Sequence, residues 1–488
     1  MKVRYFTSII LCLLLQHNLL FAHIRLPAVI SSNMVIQRDG NVPIWGWADP
    51  GEQVRIKASW LVSDTAVRAN EKGEWVIGLD SPCAGGPHEI RLTGKNEIIL
   101  DNILAGEVWF ASGQSNMAMA LEGCDNAESE IDSSRYPAIR LFHIDRTFSE
   151  ERLSDCKGSW RECRPESVRD FSAVAYYFGC ELHTTLDVPV GLISASKGGS
   201  PAEAWMPAEV LRSDSALHTI FHMWKKWEEE YLGAEAPKTE APEAFDMVTK
   251  PHRRPGALYN AMVAPVIPFA IKGVIWYQGE NNVPRPLQYE RLFRTLISSW
   301  REGWRQGDLP FYYVQITPYC YKDNLVNASL LRESQMKVLS ANNTGMVVTT
   351  DIGDLNDGHP RNKYDVGRRL ALLALADTYG YDDMVYSGPV YTAMHPEGDT
   401  LRLHFKHTGS GLVCRGDSLT CFQVSGSDGE FVRAEAVIDG STVLVYNKHV
   451  TCPEAVRFGW MINTTPNLFN AEGLPAAPFR TDECSIGR

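Results

Sequence analysis

Residues 106–121, GEVWFASGQSNMAMAL, join two kinds of sequence. Glu107 to Ser112 form an apolar run suited to a strand buried on both faces, as in a parallel sheet covered by helices. Gly113, Gln114, Ser115 and Asn116 then break it with small and polar residues before an apolar stretch resumes. A strand running into a glycine turn and then a helix is how an α/β sheet begins, and functional residues of such sheets collect at the carboxyl ends of the strands. A phosphate-binding loop would need more glycines and a Gly-Lys-Ser/Thr sequence, which is absent. Two readings of Ser115 remain: a nucleophile presented by the turn at Gly113, or a helix N-cap after a strand.

Outward from this stretch the same alternation continues. AIRLFHI (138–144), VPVGLISAS (188–196), GVIWYQG (273–279), FYYVQIT (311–317) and MVVTTDI (346–352) are short runs apolar on both faces. Between them Phe171, Val174, Phe178 and Leu182, and then Tyr289, Leu292, Leu296 and Trp300, recur at helical spacing. The expectation is a doubly wound parallel α/β sheet over about 106–385. An insertion at about 207–255 interrupts it, and its charged, Pro-rich part from 221 reads as a flap rather than core. Residues 23–105 read as a small β-sandwich or jelly roll, with runs such as EQVRIKASW and EWVIGLD punctuated by DPGE and NEKGE. The β pattern returns over 386–488 in LRLHFKH, CFQVSG and STVLVYN.

The chain has 488 residues, of which 44% are hydrophobic and 22% charged, an ordinary globular composition long enough for several domains. A net charge of −12 argues against nucleic acid or an anionic membrane surface as the main partner. Lys2 and Arg4, the apolar run SIILCLLLQHNLLF and the small Ala22 read as a cleavable export signal over 1–22, although Leu20 makes the cleavage site only a partial match. The expected location is secreted or periplasmic, with no membrane span in the mature chain. Of eleven cysteines, Cys156 with Cys163 and Cys414 with Cys421 are close enough in sequence to pair in an oxidising compartment. Isolated buried thiols are the alternative, and no spacing fits zinc.

Three further strand ends bear on Ser115. ISASKGGSPAEAW brings Gly198, Gly199 and Ser200, where unhindered backbone N–H groups can face an oxyanion. IWYQGENN brings Gln278, Asn281 and Asn282, a cluster of amides. DIGDLNDGHPRNK sets His359 beside Asp354 and Asp357, just before a helix beginning near Lys363. Trp109, Trp205 and Trp276 are close to these motifs and suit sugar rings if exposed. Arg253, Arg254 and Arg361 suit a carboxylate-bearing substrate.

GQSNM, GGSPAEAW, LYNAMVAPVIPFAIKGVIWYQGENN, DIGDLNDGHPRNK and GLPAAPFRTD follow one another in the order found in the sialate O-acetylesterase family of SGNH-type hydrolases, which the chain resembles from about residue 24 to 482. The resemblance implies a flavodoxin-like sheet and a cofactor-free Ser–His hydrolase of acetylated sialic acids, with Ser115 as nucleophile and His359 as general base. It further implies an oxyanion hole of the Ser115 N–H, the Gly198 or Gly199 N–H and one side-chain amide. For that amide Gln278 is favoured over Asn281 and Asn282, with Asn282 shaping the loop and Gln114 and Asn116 anchoring the serine turn. Many relatives carry Asp three residues before the histidine, where this chain has Asn356. Asp357 is therefore assigned to orient His359, with Asp354 or a backbone carbonyl as alternatives. Trp205 and Arg361 are the candidate substrate contacts. Acetylated xylan or pectin is the alternative substrate, and a non-catalytic glycan-binding protein is the alternative of another class.

Overall fold

The computed structural model describes residues 23–231, 242–321 and 324–482, with the side chains of 242–245 left aside. The export signal expected over 1–22 lies outside the described residues. No helix among them is long and apolar enough to cross a membrane.

The molecule is built on a seven-stranded central sheet: β1 (Glu97–Gly113), β2 (Tyr136–His143), β3 (Trp160–Cys163), β4 (Val190–Ser196), β5 (Gly273–Tyr277), β6 (Phe311–Val314) and β7 (Thr344–Val347). Their order is β7-β6-β5-β1-β4-β2-β3. Every pairing is parallel except the antiparallel edge pair β2–β3. If β2 and β3 are set aside as an outer extension, the remaining five parallel strands run 2-1-3-4-5, the flavodoxin-like order. The chain reverses its direction of travel around β1, with β4 on one side and β5 on the other, so a crevice opens at the carboxyl end of β1.

Alternation along β1 sets the two faces. Trp109 and Ala111 point into one core with Phe178 and Leu182 of α1 (Ala173–Leu186) and Leu370 and Ala374 of α4 (Tyr364–Asp377). Val108 and Phe110 point into the other, against Leu292, Leu296 and Trp300 of α2 (Pro286–Trp304) and Leu331 and Val338 of α3 (Leu325–Val338). Successive strand residues face opposite ways, so a strand covered on both sides must be apolar throughout. The helix ends follow local chemistry. Ser172 Oγ accepts the Ala175 N–H at 3.3 Å to begin α1, and Pro286 occupies the first position of α2.

β1 differs from the strand expected at Glu107–Ser112. It is one continuous element of 17 residues that crosses Gly106, where the composition changes. Its first half pairs with Gly85–Thr93, which continues through Gln53–Ala58 to Thr65–Arg68, and Val35–Gln37 lies parallel beside Leu104–Gly106. A separate antiparallel pair, Asn41–Trp47 with Glu74–Asp80, completes the N-terminal β layer. β7 begins and ends earlier than its apolar run suggested. Beyond it, Thr349 and Thr350 are buried in loop rather than strand.

The segment expected to be a flap is partly core. His218–Tyr231 is a helix that buries Ile220, Trp224 and Tyr231 along one side while its charged residues face out. Near the C-terminus, two four-stranded antiparallel sheets and a two-stranded one enclose their own core of Leu401, Leu403, Val443, Val445 and Phe458 among others. The nine described cysteines are free thiols, so neither proposed disulfide is formed. Cys156 and Cys163 are buried instead, and burial pushes both thiols up to about 12.

Candidate active site

β1 ends at Gly113 with φ +142°, a conformation side chains avoid, and a Cβ there would sit 2.2 Å from the Tyr277 carbonyl oxygen. Only glycine lets β1 end so close to β5. Gln114 donates its backbone N–H to that carbonyl at 3.0 Å. Its side-chain Oε1 accepts from the backbone N–H groups of Gly279 (3.5 Å) and Asn281 (3.3 Å). Ser115 then opens the short helical turn Ser115–Ala118, whose first N–H groups have no acceptor within the helix.

His359 reaches this turn from the loop after β7. Its Nε2 stands 2.8 Å from Ser115 Oγ, so the hydroxyl donates to it in the tautomer protonated at Nδ1. Asp357 Oδ1 faces Nδ1 at 3.6 Å, beyond hydrogen-bond length, and accepts the His359 backbone N–H at 2.8 Å. The Asp354 carboxylate is turned to the Asn356 N–H at 2.8 Å. Of the two acids considered from sequence, Asp357 is therefore the one beside the imidazole.

On the opposite side, a Cβ at Gly198 would touch Ser115 Cβ at 3.5 Å, and Gly199, at φ +69°, lines the cleft. The expectation for Gln278 is corrected. Its side chain is fully buried, and Nε2 donates to Ser200 O (3.3 Å) and Asn282 Oδ1 (2.7 Å) while Oε1 accepts from Tyr289 (3.0 Å). An amide whose hydrogens are both engaged below the cleft has none for an oxyanion. Asn281, one turn on in Glu280–Asn282, lines the cleft, and its Nδ2 is buried with no partner among the described residues. Asn282 shapes the loop: Oδ1 also accepts the Ala202 N–H (2.9 Å) and Nδ2 donates to Glu203 (2.9 Å), which in turn pairs with Arg285.

Trp205 is not a sugar platform. It is wholly buried, donates Nε1 to Ser200 Oγ at 2.8 Å and packs edge-on to Trp276; Trp109 and Trp276 are equally buried. The aromatic residues that line the cleft are Tyr319 and Tyr321. Arg361 is also corrected. It turns away to Cys124 O and Asp125 and lines a separate groove with Asn362 and Tyr364. Arg254 pairs with Glu150 and Glu228. Arg253, largely buried and paired with Asp246, lies against Gly199, where an added Cβ would meet its Nη2 at 3.0 Å.

Sequence reading missed a buried polar cluster behind Ser115. Asn116 Nδ2 donates to Glu280 Oε1 (2.8 Å) and to Gly358 O (3.0 Å), and Lys363 Nζ donates to Asn116 Oδ1 (2.6 Å). Asn116 thus ties the serine turn to the loop that carries His359. Burial raises the Glu280 carboxyl above its ordinary range, while Asn116 and the positive charge of Lys363 oppose the rise. Burial lowers the Lys363 ammonium to about 8. The signal was a lysine four residues after His359, read only as the start of a helix. The resulting cleft, about 520 Å³, is lined by Ser115, His359, Asp357, Asn281, Glu280 and Tyr319 among others.

Known proteins similar to this chain are carbohydrate esterases. Residues 246–375 match the family model described as "Carbohydrate esterase, sialic acid-specific acetylesterase". The chain is 30% identical to the sialate O-acetylesterase of Rattus norvegicus, over 93% of this chain and 94% of that protein. It is 29% identical to the human one, over 75% and 73%. Among solved structures, a carbohydrate acetylesterase from Xanthomonas citri superposes with a TM-score of 0.83 at 34% identity, covering 94% of this chain and all of that one. A hydroxyl aligned on an imidazole at the switch point of a parallel sheet, with these relatives spanning nearly the whole length, identifies the chain as a member of the sialate O-acetylesterase family and a carboxylic ester hydrolase acting as an O-acetylesterase.

Proposed function

We propose that the chain removes O-acetyl groups, the 9-O-acetyl group among them, from sialic acids through an acetyl-serine intermediate. The observation that carries the mechanism is the 2.8 Å contact between Ser115 Oγ and His359 Nε2. Ser115 Oγ attacks the acetyl carbonyl carbon as its proton passes to Nε2. The tetrahedral intermediate then expels the sugar oxygen, which takes that proton, and the acetyl group stays on Ser115. Water, deprotonated by the same nitrogen, attacks the acetyl-serine and releases acetate. Asp357 orients the imidazole and offsets its positive charge.

The oxyanion is held by the N–H of Ser115, the N–H of Gly198 or Gly199, and Nδ2 of Asn281 in place of Gln278. Each such donor is worth about 3–4 kcal/mol of transition-state stabilisation. Arg253, behind Gly199, is the group we assign to the sialic acid carboxylate. The N-terminal apolar run supports export to the periplasm or cell exterior.

A second substrate reading is an acetylated plant glycan such as xylan or pectin. The Xanthomonas citri relative, at 34% identity, is described as a carbohydrate acetylesterase, a description that does not restrict the sugar to sialic acid. Acetate release measured on 9-O-acetyl sialic acid, acetyl-xylan and acetyl-pectin decides between them. The sialate reading expects the first to be cleaved fastest, and faster xylan or pectin cleavage overturns it. Loss of p-nitrophenyl acetate turnover in Ser115→Ala is expected for any of these esterases. A glycan-binding protein would show no Ser115-dependent turnover.

A further inference from the structure

Away from the cleft, and sharing none of its lining residues, a second cavity of about 250 Å³ lies where α3 meets the C-terminal β region. Ser329, Arg332, Tyr391, Trp460, Phe479 and Arg480 are among the residues that form it. Three of its lining residues are aromatic: Tyr391 and Phe479 stack with centroids 4.4 Å apart, and Trp460 is almost wholly buried; Glu333, Lys337 and Arg480 line it as well.

Arg332 is 2% exposed, and its charge has no acidic partner among the described residues. Its Nη2 donates to the carbonyl oxygens of Gly459 (2.7 Å) and Trp460 (2.9 Å), which hold it in place without neutralising it. The adjacent Glu333 is committed elsewhere, to Arg480 and Lys337. Nε and Nη1 of Arg332, and Nε1 of Trp460, are buried with no hydrogen-bond partner among the described residues. Burial accordingly lowers the Arg332 guanidinium to about 9. A guanidinium without a counter-charge in the interior is costly, and buried donors in native proteins find acceptors.

We propose that this cavity is a second ligand site, which takes a small organic carboxylate held by Arg332 and Trp460 Nε1–H with its alkyl part against Tyr391 and Phe479. The buried positive charge and the unpaired donors select an anion. The aromatic walls select one with an apolar end over an inorganic oxyanion. The volume, below the range of drug-sized pockets, selects a molecule of a few heavy atoms.

The test is thermal unfolding of the whole protein titrated with sodium acetate against sodium chloride at matched ionic strength, with sodium sulfate as a third arm. A saturable rise in Tm with acetate alone is expected. Trp460→Phe, which keeps the ring and deletes one N–H, should weaken the apparent affinity about tenfold. Arg332→Lys, which keeps the charge but not the donors at Nε and Nη1, should weaken it at least as much. Asn281→Ala, in the cleft, should leave it unchanged, which separates this site from acetate held as product beside Ser115. No acetate-specific shift, an equal response to sulfate, or a shift that survives Trp460→Phe overturns the proposal.

Discussion

Lys363 lets the electrostatics behind Ser115 be tested quantitatively. Its ammonium is buried, donates to Asn116 Oδ1 at 2.6 Å and stands 5.4 Å from the centre of the Tyr277 ring. Burial brings it from 10.5 down to about 8, against the opposing pull of Glu280 and Asp357. At 1.36 kcal/mol per pK unit, holding this proton costs the folded state about 3 kcal/mol relative to the unfolded chain. That cost is fully present below pH 8. Between pH 8 and 10.5 the unfolded chain keeps a proton that the folded one has released, so the unfolding free energy contributed by this group rises with pH. Lys363→Met has no such group. The stability difference, wild type minus Lys363→Met, should therefore move in favour of wild type by about 3 kcal/mol across that window, with most of the change visible by pH 10. Urea unfolding followed by tryptophan fluorescence at pH 7, 8, 9 and 10 measures it. If the two stabilities stay parallel to within about 0.5 kcal/mol over this range, a third of a pK unit or so, the ammonium is not desolvated as described and the reasoning fails.

The Asp357–His359 contact is 3.6 Å between side chains about half exposed (54% and 51%), so Asp357→Ala should lower kcat only about tenfold, against the roughly 10⁴ expected for a buried, hydrogen-bonded triad acid. Steady-state kinetics with p-nitrophenyl acetate checks this. Asn281→Ala should lower kcat about 10²–10³-fold with KM little changed, the pattern for loss of one oxyanion donor. Gln278→Ala should instead show itself in reduced Tm, because it breaks a buried network. Arg253→Gln should raise KM for an acetylated sialic acid about tenfold, as expected for a lost charge-assisted hydrogen bond, and leave p-nitrophenyl acetate unaffected.

The parallel sheet was legible because its strands are covered on both faces and must be apolar throughout, as Val108 to Ala111 are. The break at Gly113–Asn116 was legible because close approach to β5 requires a glycine there. Other features depend on three-dimensional placement that residue type does not carry. The change of composition at Gly106 reflects a change in what covers β1, not an interruption of its backbone. Gln278 and Asn281 are both amides in one loop, and only the turn Glu280–Asn282 decides which is buried and which meets the cleft. Tryptophan serves a core as well as a sugar site, and Trp205 serves the core. Lys363 reads from sequence only as the start of a helix, because its inward course depends on Asn116, 247 residues away in sequence.

β1 carries a consequence for how this protein can be divided. The strand that ends at the nucleophile begins as part of the N-terminal β layer, and midway along it the buried Glu107 is paired with Arg38 and bonded to Gln37. Cutting the chain at Gly106 would strip β1 of half its length and leave that carboxylate without its cation, a loss of the 3–5 kcal/mol typical of a severed buried pair. The N-terminal layer is therefore not an appendage that can be exchanged for another module while the esterase stays intact. Any exchange of modules at this end would have to leave the shared strand whole.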